Sequence, residues 1–222
     1  MKNTLIFLLL WLFLLPATHS AETDAGFWAT ANLNKPVAEQ WQANLQIQSR
    51  MVDGVDMLER YLLRPSLDYL VNDIMFVSLG YDIHFVKTGT DSTEQRLWQQ
   101  LVVRQKSMQF KPLLRIRLEE RFFDGRDDTG FRGRLLAGVS VPTGNSWIQH
   151  FVIRNEIFMN INDVRPGPKS GFDQNRFFAG FSAGLGQGFS GELGYQNQYI
   201  NRASNEDLSI NQLYFALSKR LQ

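Results

Sequence analysis

Charged and apolar residues alternate with few exceptions through the middle of this chain, and few folds accommodate that pattern over so many positions. The alternation is clearest in residues 114–122 and 131–141. Because successive side chains of a β-strand point to opposite faces, each segment is predicted to be a strand with one charged and one apolar face. The charged face carries Arg115, Arg117, Glu119, Arg121, Arg132 and Arg134, and the apolar face carries Leu114, Ile116, Leu118, Phe122, Leu135, Ala137 and Val139. The sequence therefore predicts an antiparallel pair of two-faced strands at its centre.

Residues 1–20 have the features of a secretory signal peptide. Lys2 supplies the positive charge, residues 5–15 form an unbroken apolar run, and Pro16 ends that run. The run is too short for a transmembrane helix, which needs about 20 apolar residues. We therefore predict an exported protein that is cleaved after Ser20, and the alternative is a retained anchor helix.

Alternation of the same kind recurs along the rest of the chain. Strands are predicted at residues 40–51, 58–69, 74–86, 94–106, 115–122, 131–141, 147–160, 175–185, 189–200 and 208–221. Most of these segments run to about 12 residues, whereas an ordinary strand has about 5 or 6 and a tilted membrane strand has about 9 to 11 inside the hydrocarbon. Short connections also alternate with longer polar ones, which is typical of outer-membrane barrels.

A period of two does not decide which face of a closed sheet is inside. In a soluble lipocalin-like barrel the apolar face would point inward. Three features favour the inverse arrangement: the long strands, the arginines in mid-strand with lysines in turns, and the aromatic residues near strand ends. We therefore predict an all-β fold, an antiparallel transmembrane β-barrel of about 10 strands over residues 40–222.

The segment before the first of these strands, residues 21–39, contains the strand-like sequence GFWATANLN at positions 26–34. We predict that residues 21–39 pack at or in the mouth of the barrel. The alternative is that they contribute a strand to a barrel of about 12 strands, because single-chain bacterial barrels have even strand numbers.

An ordered set of motifs resembles one known family. After Phe27-Trp28 come RPSLDYLVND (residues 64–73), SLGYDI (78–83), EQRLWQQL (94–101), RIRLEERF (115–122), RNEIF (154–158), NRFFAG (175–180) and ELGYQNQY (192–199). This series resembles the DUF2490 family of exported bacterial proteins and extends over essentially all of the chain after the signal peptide. The resemblance implies an outer-membrane β-barrel, and it carries over no established activity.

We expect the charged face to line the barrel lumen as a polar network. Its predicted members are Arg60, Arg64, Arg96, Arg115, Arg117, Glu119, Arg121, Arg132, Arg134, Arg154, Glu156, Arg176 and Glu192. The three glutamates and Asp68 are expected to neutralise arginines, with amides or water for the rest, because an unpaired buried charge is too costly to persist. A barrel of about ten strands is narrow enough for side chains to fill, so we predict a mostly closed lumen. As alternatives, the excess of cations could bind an anionic small molecule or a lipid head group, or the lumen could be a small channel.

No motif in the sequence predicts catalysis, a metal or another cofactor. A lipid-acting hydrolase is a second alternative, but no short motif links His84 and its neighbour Asp82, or His150, to a serine nucleophile. We therefore predict no catalytic residues. Without cysteine and with these histidines far apart in sequence, we expect no metal site.

The charge balance and the predicted location together set the expected partners. Positive and negative residues are nearly equal in number, which disfavours a nucleic-acid partner. We expect the protein to reside in the cell outer membrane, where outer-membrane lipids would be its partners.

Overall fold

The computed structural model describes residues 21–87, 91–105, 110–202 and 206–222. The predicted signal peptide and its cleavage after Ser20 lie outside the described residues. Within these ranges the protein is all-β, with eleven strands that close into one barrel. Among the described residues, no helix combines the length and the apolar character needed to cross a bilayer.

The strands follow one another around the barrel in chain order. They are β1 (Ala21–Ala38), β2 (Trp41–Val52), β3 (Met57–Asn72), β4 (Met75–Val86), β5 (Ser92–Arg104), β6 (Lys111–Phe123), β7 (Gly130–Pro142), β8 (His150–Asn160), β9 (Gly171–Gly186), β10 (Phe189–Ile200) and β11 (Asp207–Arg220). From β2 to β11 every neighbouring pair is antiparallel. Strand β1 closes the barrel by pairing antiparallel with β2 and parallel with β11.

This closure corrects the predicted strand count and the predicted place of the N-terminal segment. The described barrel has eleven strands, neither about 10 nor about 12, and residues 21–38 form part of its wall rather than packing at the mouth. An extended segment of 18 residues carries many backbone donors and acceptors that need partners. Between β2 and β11 both of its edges are hydrogen-bonded, from Ala21↔Asp207 to Asn34↔Arg220 on one side.

The two ends of the barrel differ in their connections. One end, here called the turn end, contains the connections at residues 39–40, 73–74, 143–149 and 187–188. The opposite end, here called the loop end, contains those at residues 53–56, 124–129 and 161–170. Because β1 runs parallel to β11, Ala21 lies at the loop end and Arg220 at the turn end.

The outer surface of the barrel is apolar and its interior is polar, which is the inverse of a lipocalin-like barrel. Outward-facing Ile47, Leu79 and Ile116 are 54%, 57% and 48% exposed. Aromatic pairs lie near both ends of the outer surface: Trp41 against Tyr69 at the turn end, with ring centroids 4.8 Å apart, and Tyr61 against Phe85 at the loop end, 4.6 Å apart. The charged residues singled out from the sequence all face inward.

Candidate functional site

The barrel lumen contains the residues that the sequence assigns to a polar network. They occupy inward-facing positions of β3 and of β5 to β10, and most of them are buried. The structure joins them into ion pairs centred on a few carboxylates. Arg154 and Glu192 form one such pair on β8 and β10, with oxygen to nitrogen distances of 3.0 and 2.5 Å. The network therefore consists of several local clusters.

The largest cluster is a ladder of alternating charges on β6 to β9. In order it runs Asp173, Arg132, Glu119, Arg134, Glu156 and Arg115. Arg132 donates to Oε2 of Glu119 from Nε at 2.9 Å and from Nη2 at 2.6 Å, while Arg134 donates to Oε1. Arg134 and Arg115 both donate to Oε1 of Glu156, at 2.8 and 2.6 Å. Glu119 and Glu156 thus each hold more than one guanidinium, and charge-assisted bonds of this kind are about twice as strong as neutral ones.

A second cluster is built around Asp82 on β4. Arg64 donates to both of its carboxylate oxygens, at 2.6 and 2.5 Å, and Trp98 Nε1 donates to Oδ1 at 2.6 Å. Gly80 is directly opposite Trp98, and a Cβ added to that glycine would lie 2.1 Å from Cζ2 of the indole ring. A glycine at this position therefore allows the tryptophan to reach the carboxylate.

The two histidines considered for hydrolysis lie in different surroundings. His84 is completely buried, and its Nε2 lies 3.3 Å from Oδ2 of Asp82, which Arg64 already occupies. His150 begins β8 at the turn end, where its Nε2 lies 2.7 Å from Nζ of Lys111. The arrangement of His84 fits a packed structural histidine, because its acidic neighbour is held in a salt bridge. Among the described residues, no cluster of His, Asp or Glu could hold a metal ion.

Two cavities lie inside the lumen, one towards each end. The turn-end cavity has a volume of about 590 Å³, and its lining includes seven asparagine and glutamine side chains and five arginines, Arg104 and Arg117 among them. The loop-end cavity has a volume of about 360 Å³ and is lined by Trp28 and several arginines. Gln46, Arg64 and Arg115 contact both cavities, and we call these three residues the septum.

The septum is held by the clusters on either side of it. Arg64 Nη1 donates to Oε1 of Gln46 at 2.7 Å while the same guanidinium binds Asp82. Arg115 is held by Glu156 at 2.6 Å. The three residues that line both cavities are thus held in place by hydrogen bonds, most of them to charged groups.

Comparison with known proteins decides the family. The sequence model of DUF2490, described as a protein of unknown function, matches residues 25–209. The chain belongs to the DUF2490 family. An uncharacterized protein of Methylorubrum extorquens is 29% identical over 160 residues, which cover 69% of each chain. No solved structure matches this DUF2490 chain. The resemblance inferred from the motifs is thereby confirmed.

The lumen of this DUF2490 protein also contains important residues that the sequence-based network left out. Glu94 receives Nε and Nη2 of Arg96 at 2.8 Å and Nε of Arg121 at 2.6 Å. Arg50 lies directly opposite Arg60, and Asp82 is the partner of Arg64. Their positions in the strands could have identified them, because residues two apart on a strand face the same side. Glu94 is two residues from Arg96, and Arg50 falls among inward-facing glutamines.

Proposed function

We propose that this DUF2490 protein is an outer-membrane β-barrel whose lumen is mostly closed, with a solute-accessible cavity on either side of the septum. The closed lumen is supported chiefly by the septum, because Gln46, Arg64 and Arg115 each line both cavities. The location is an inference from the outer surface and from the predicted signal peptide.

The outer surface supports a lipid environment. Large exposed apolar side chains occur on most strands, including Leu67 on β3, Leu118 on β6, Phe181 on β9 and Leu213 on β11. A soluble monomer rarely exposes a continuous apolar surface of this extent, whereas a membrane barrel requires an apolar band. Aromatic pairs near the two ends match the girdles that mark the edges of such a band.

The closed lumen is supported by how firmly the septum is anchored. Asp82 and Glu156 are both buried, and each holds a septum arginine at 2.6 Å or less. Moving either guanidinium aside would break a buried ion pair, which is strongly unfavourable. The resting lumen is therefore expected to block a steady flow of ions.

The septum also defines an experiment on conduction. The purified protein in planar bilayers should show little steady conductance. The double variant Gln46→Ala/Arg115→Ala should raise conductance, because it removes two side chains between the cavities while Glu156 keeps Arg134 as a partner. Gln42→Ala is a matched control, because Gln42 lines the turn-end cavity away from the septum.

Two results would count against this account of the lumen. A large and stable current through the wild-type protein would make the small channel the leading function. A double variant that is folded but conducts no better than the wild type would mean that the septum is not the barrier. We keep the small channel as the second candidate function because a cavity lies on either side of the septum.

A further inference from the structure

Two guanidinium groups contact one indole ring in the loop-end cavity, and Arg60 lines the same cavity. Arg50 and Arg60 are directly opposite each other on β2 and β3, and Trp28 is opposite Arg50 on β1. The Cζ atom of Arg50 lies 3.7 Å from the centroid of the Trp28 ring, and that of Arg176 on β9 lies 4.7 Å from it. We call Arg50, Arg60 and Arg176 the arginine triad.

The triad is poorly neutralised compared with the charge ladder on β6 to β9. In the described part of the chain, Arg50 makes no ion pair, and Arg60 pairs with Glu59 alone at 3.2 Å. Arg176 is 3.8 Å from Glu156, a carboxylate that already holds Arg134 and Arg115 at shorter distances. About two positive charges therefore remain without a carboxylate of their own in this cavity.

Each triad arginine also has one unsatisfied hydrogen-bond donor, its Nε. The Nε atoms of Arg50, Arg60 and Arg176 are buried, and each lacks a hydrogen-bond partner, as does Nε1 of Trp28. Arg50 is only 6% exposed. Arginine does not lose its proton in a protein, so the triad cannot become neutral by titration. Contact with the face of Trp28 offsets part of the cost, yet it satisfies none of the N–H groups.

We propose that the arginine triad binds a phosphate-type oxyanion in the loop-end cavity. A phosphate dianion would supply about two negative charges and several acceptor oxygens to donors that converge from β2, β3 and β9. A single carboxylate would neutralise only one of the charges. The cavity volume of about 360 Å³ lies within the range of small-molecule sites, so the phosphate can be free or part of a small ester.

The source of the phosphate can be the solution or a lipid head group. The cavity is lined by Gln174, Gln198 and Ile200, which lie near the loop-end limits of β9 and β10, so it lies towards that end of the barrel. The proposal rests on the closed lumen of the proposed function, because an open, water-filled pore would hydrate the triad. It does not rest on the membrane location.

Binding can be measured with the full mature chain folded in detergent micelles. Isothermal titration with inorganic phosphate, at constant ionic strength against chloride, should give saturable binding. A second arm uses short-chain phosphatidic acid, and a third uses succinate. Arg50→Gln and Arg176→Gln should each weaken phosphate binding at least about tenfold, as expected for losing a charge-assisted bond. Arg104→Gln, in the turn-end cavity, should bind like the wild type.

Thermal unfolding provides a second measure of phosphate binding, and it does not depend on the heat of binding. Phosphate should raise the melting temperature of the wild type and of Arg104→Gln but not that of Arg50→Gln. Without phosphate, Arg50→Gln should melt no lower than the wild type, because it removes an unpaired buried charge. This pattern separates loss of the ligand from loss of the fold.

Each possible result either supports or overturns the proposed phosphate site. Binding of inorganic phosphate that depends on Arg50 supports a free-anion source, and binding of phosphatidic acid alone supports a lipid source. No saturable binding of either probe, binding unchanged in Arg50→Gln, or equal binding of succinate would overturn the proposal. The binding assays measure no current, so their failure would refute the phosphate site alone. An open pore in planar bilayers would instead refute the closed lumen.

Discussion

Glu119→Gln should lower the free energy of unfolding by about 3 to 5 kcal/mol, the cost of breaking a buried ion pair by removing one partner. Glu119 is 1% exposed and sits between Arg132 and Arg134, which donate to its two oxygens. The substituted amide would keep the shape of the side chain but leave two buried guanidiniums without their shared anion. Unfolding by urea in lipid vesicles, followed by tryptophan fluorescence, measures the change.

The adjacent residue offers a matched control. Glu120 is on the same strand but faces outward, opposite Leu97 and Phe131. Glu120→Gln removes the same charge outside the ladder, so it should leave stability nearly unchanged or raise it slightly. If the two variants are equally stable, the lumen around Glu119 must be hydrated well enough to screen its charges, and the closed interior would be wrong.

Ile116→Arg should cost about 2 to 4 kcal/mol when the protein is folded in a bilayer, the range for arginine near the midplane of a membrane barrel. Ile116 is in the middle of β6 and is 48% exposed on the outer surface. On a protein in water, an arginine at such an exposed position would be nearly neutral. Reversible unfolding in vesicles gives the value.

The control for this substitution is an outward-facing residue at a different depth in the proposed membrane. Leu185 is also exposed on the outer surface but lies at the turn-end limit of β9. Because the cost falls to about 0 to 1 kcal/mol near the interfaces, Leu185→Arg should be much milder than Ile116→Arg. Small and equal costs at both positions would argue that the outer surface does not contact hydrocarbon.

The sequence predicts the faces of the strands far better than it predicts the closure of the barrel. Alternation places Arg117 and Glu119 on the face opposite Ile116, because successive side chains of a strand point to opposite faces. Strand length and the placement of arginine, lysine and aromatic residues then indicate that the charged face is inside, as the structure has it. Trp98 likewise falls inside with Arg96. The parallel pairing of β1 with β11 joins the first and last of the described strands, and no local pattern in GFWATANLN reveals which strand edges it will meet.

The clusters inside the lumen depend on register, which alternation does not supply. Arg132 is directly opposite Glu119, so that pair follows once the hairpin is aligned. The bond from Arg132 to Asp173 joins β7 to β9, across an intervening strand, and could not be read from either segment alone. The packing of Trp98 against Gly80 also depends on register, because it requires the alignment of β4 with β5.

Cell fractionation tests the proposed membrane location most directly. We expect the mature chain to sediment with outer membranes, to resist extraction with alkaline carbonate, and to migrate faster in SDS gels before boiling than after, since a closed barrel stays folded in the detergent until it is heated. A mature chain that is soluble in the periplasm without detergent, with the same mobility before and after boiling, would contradict the account.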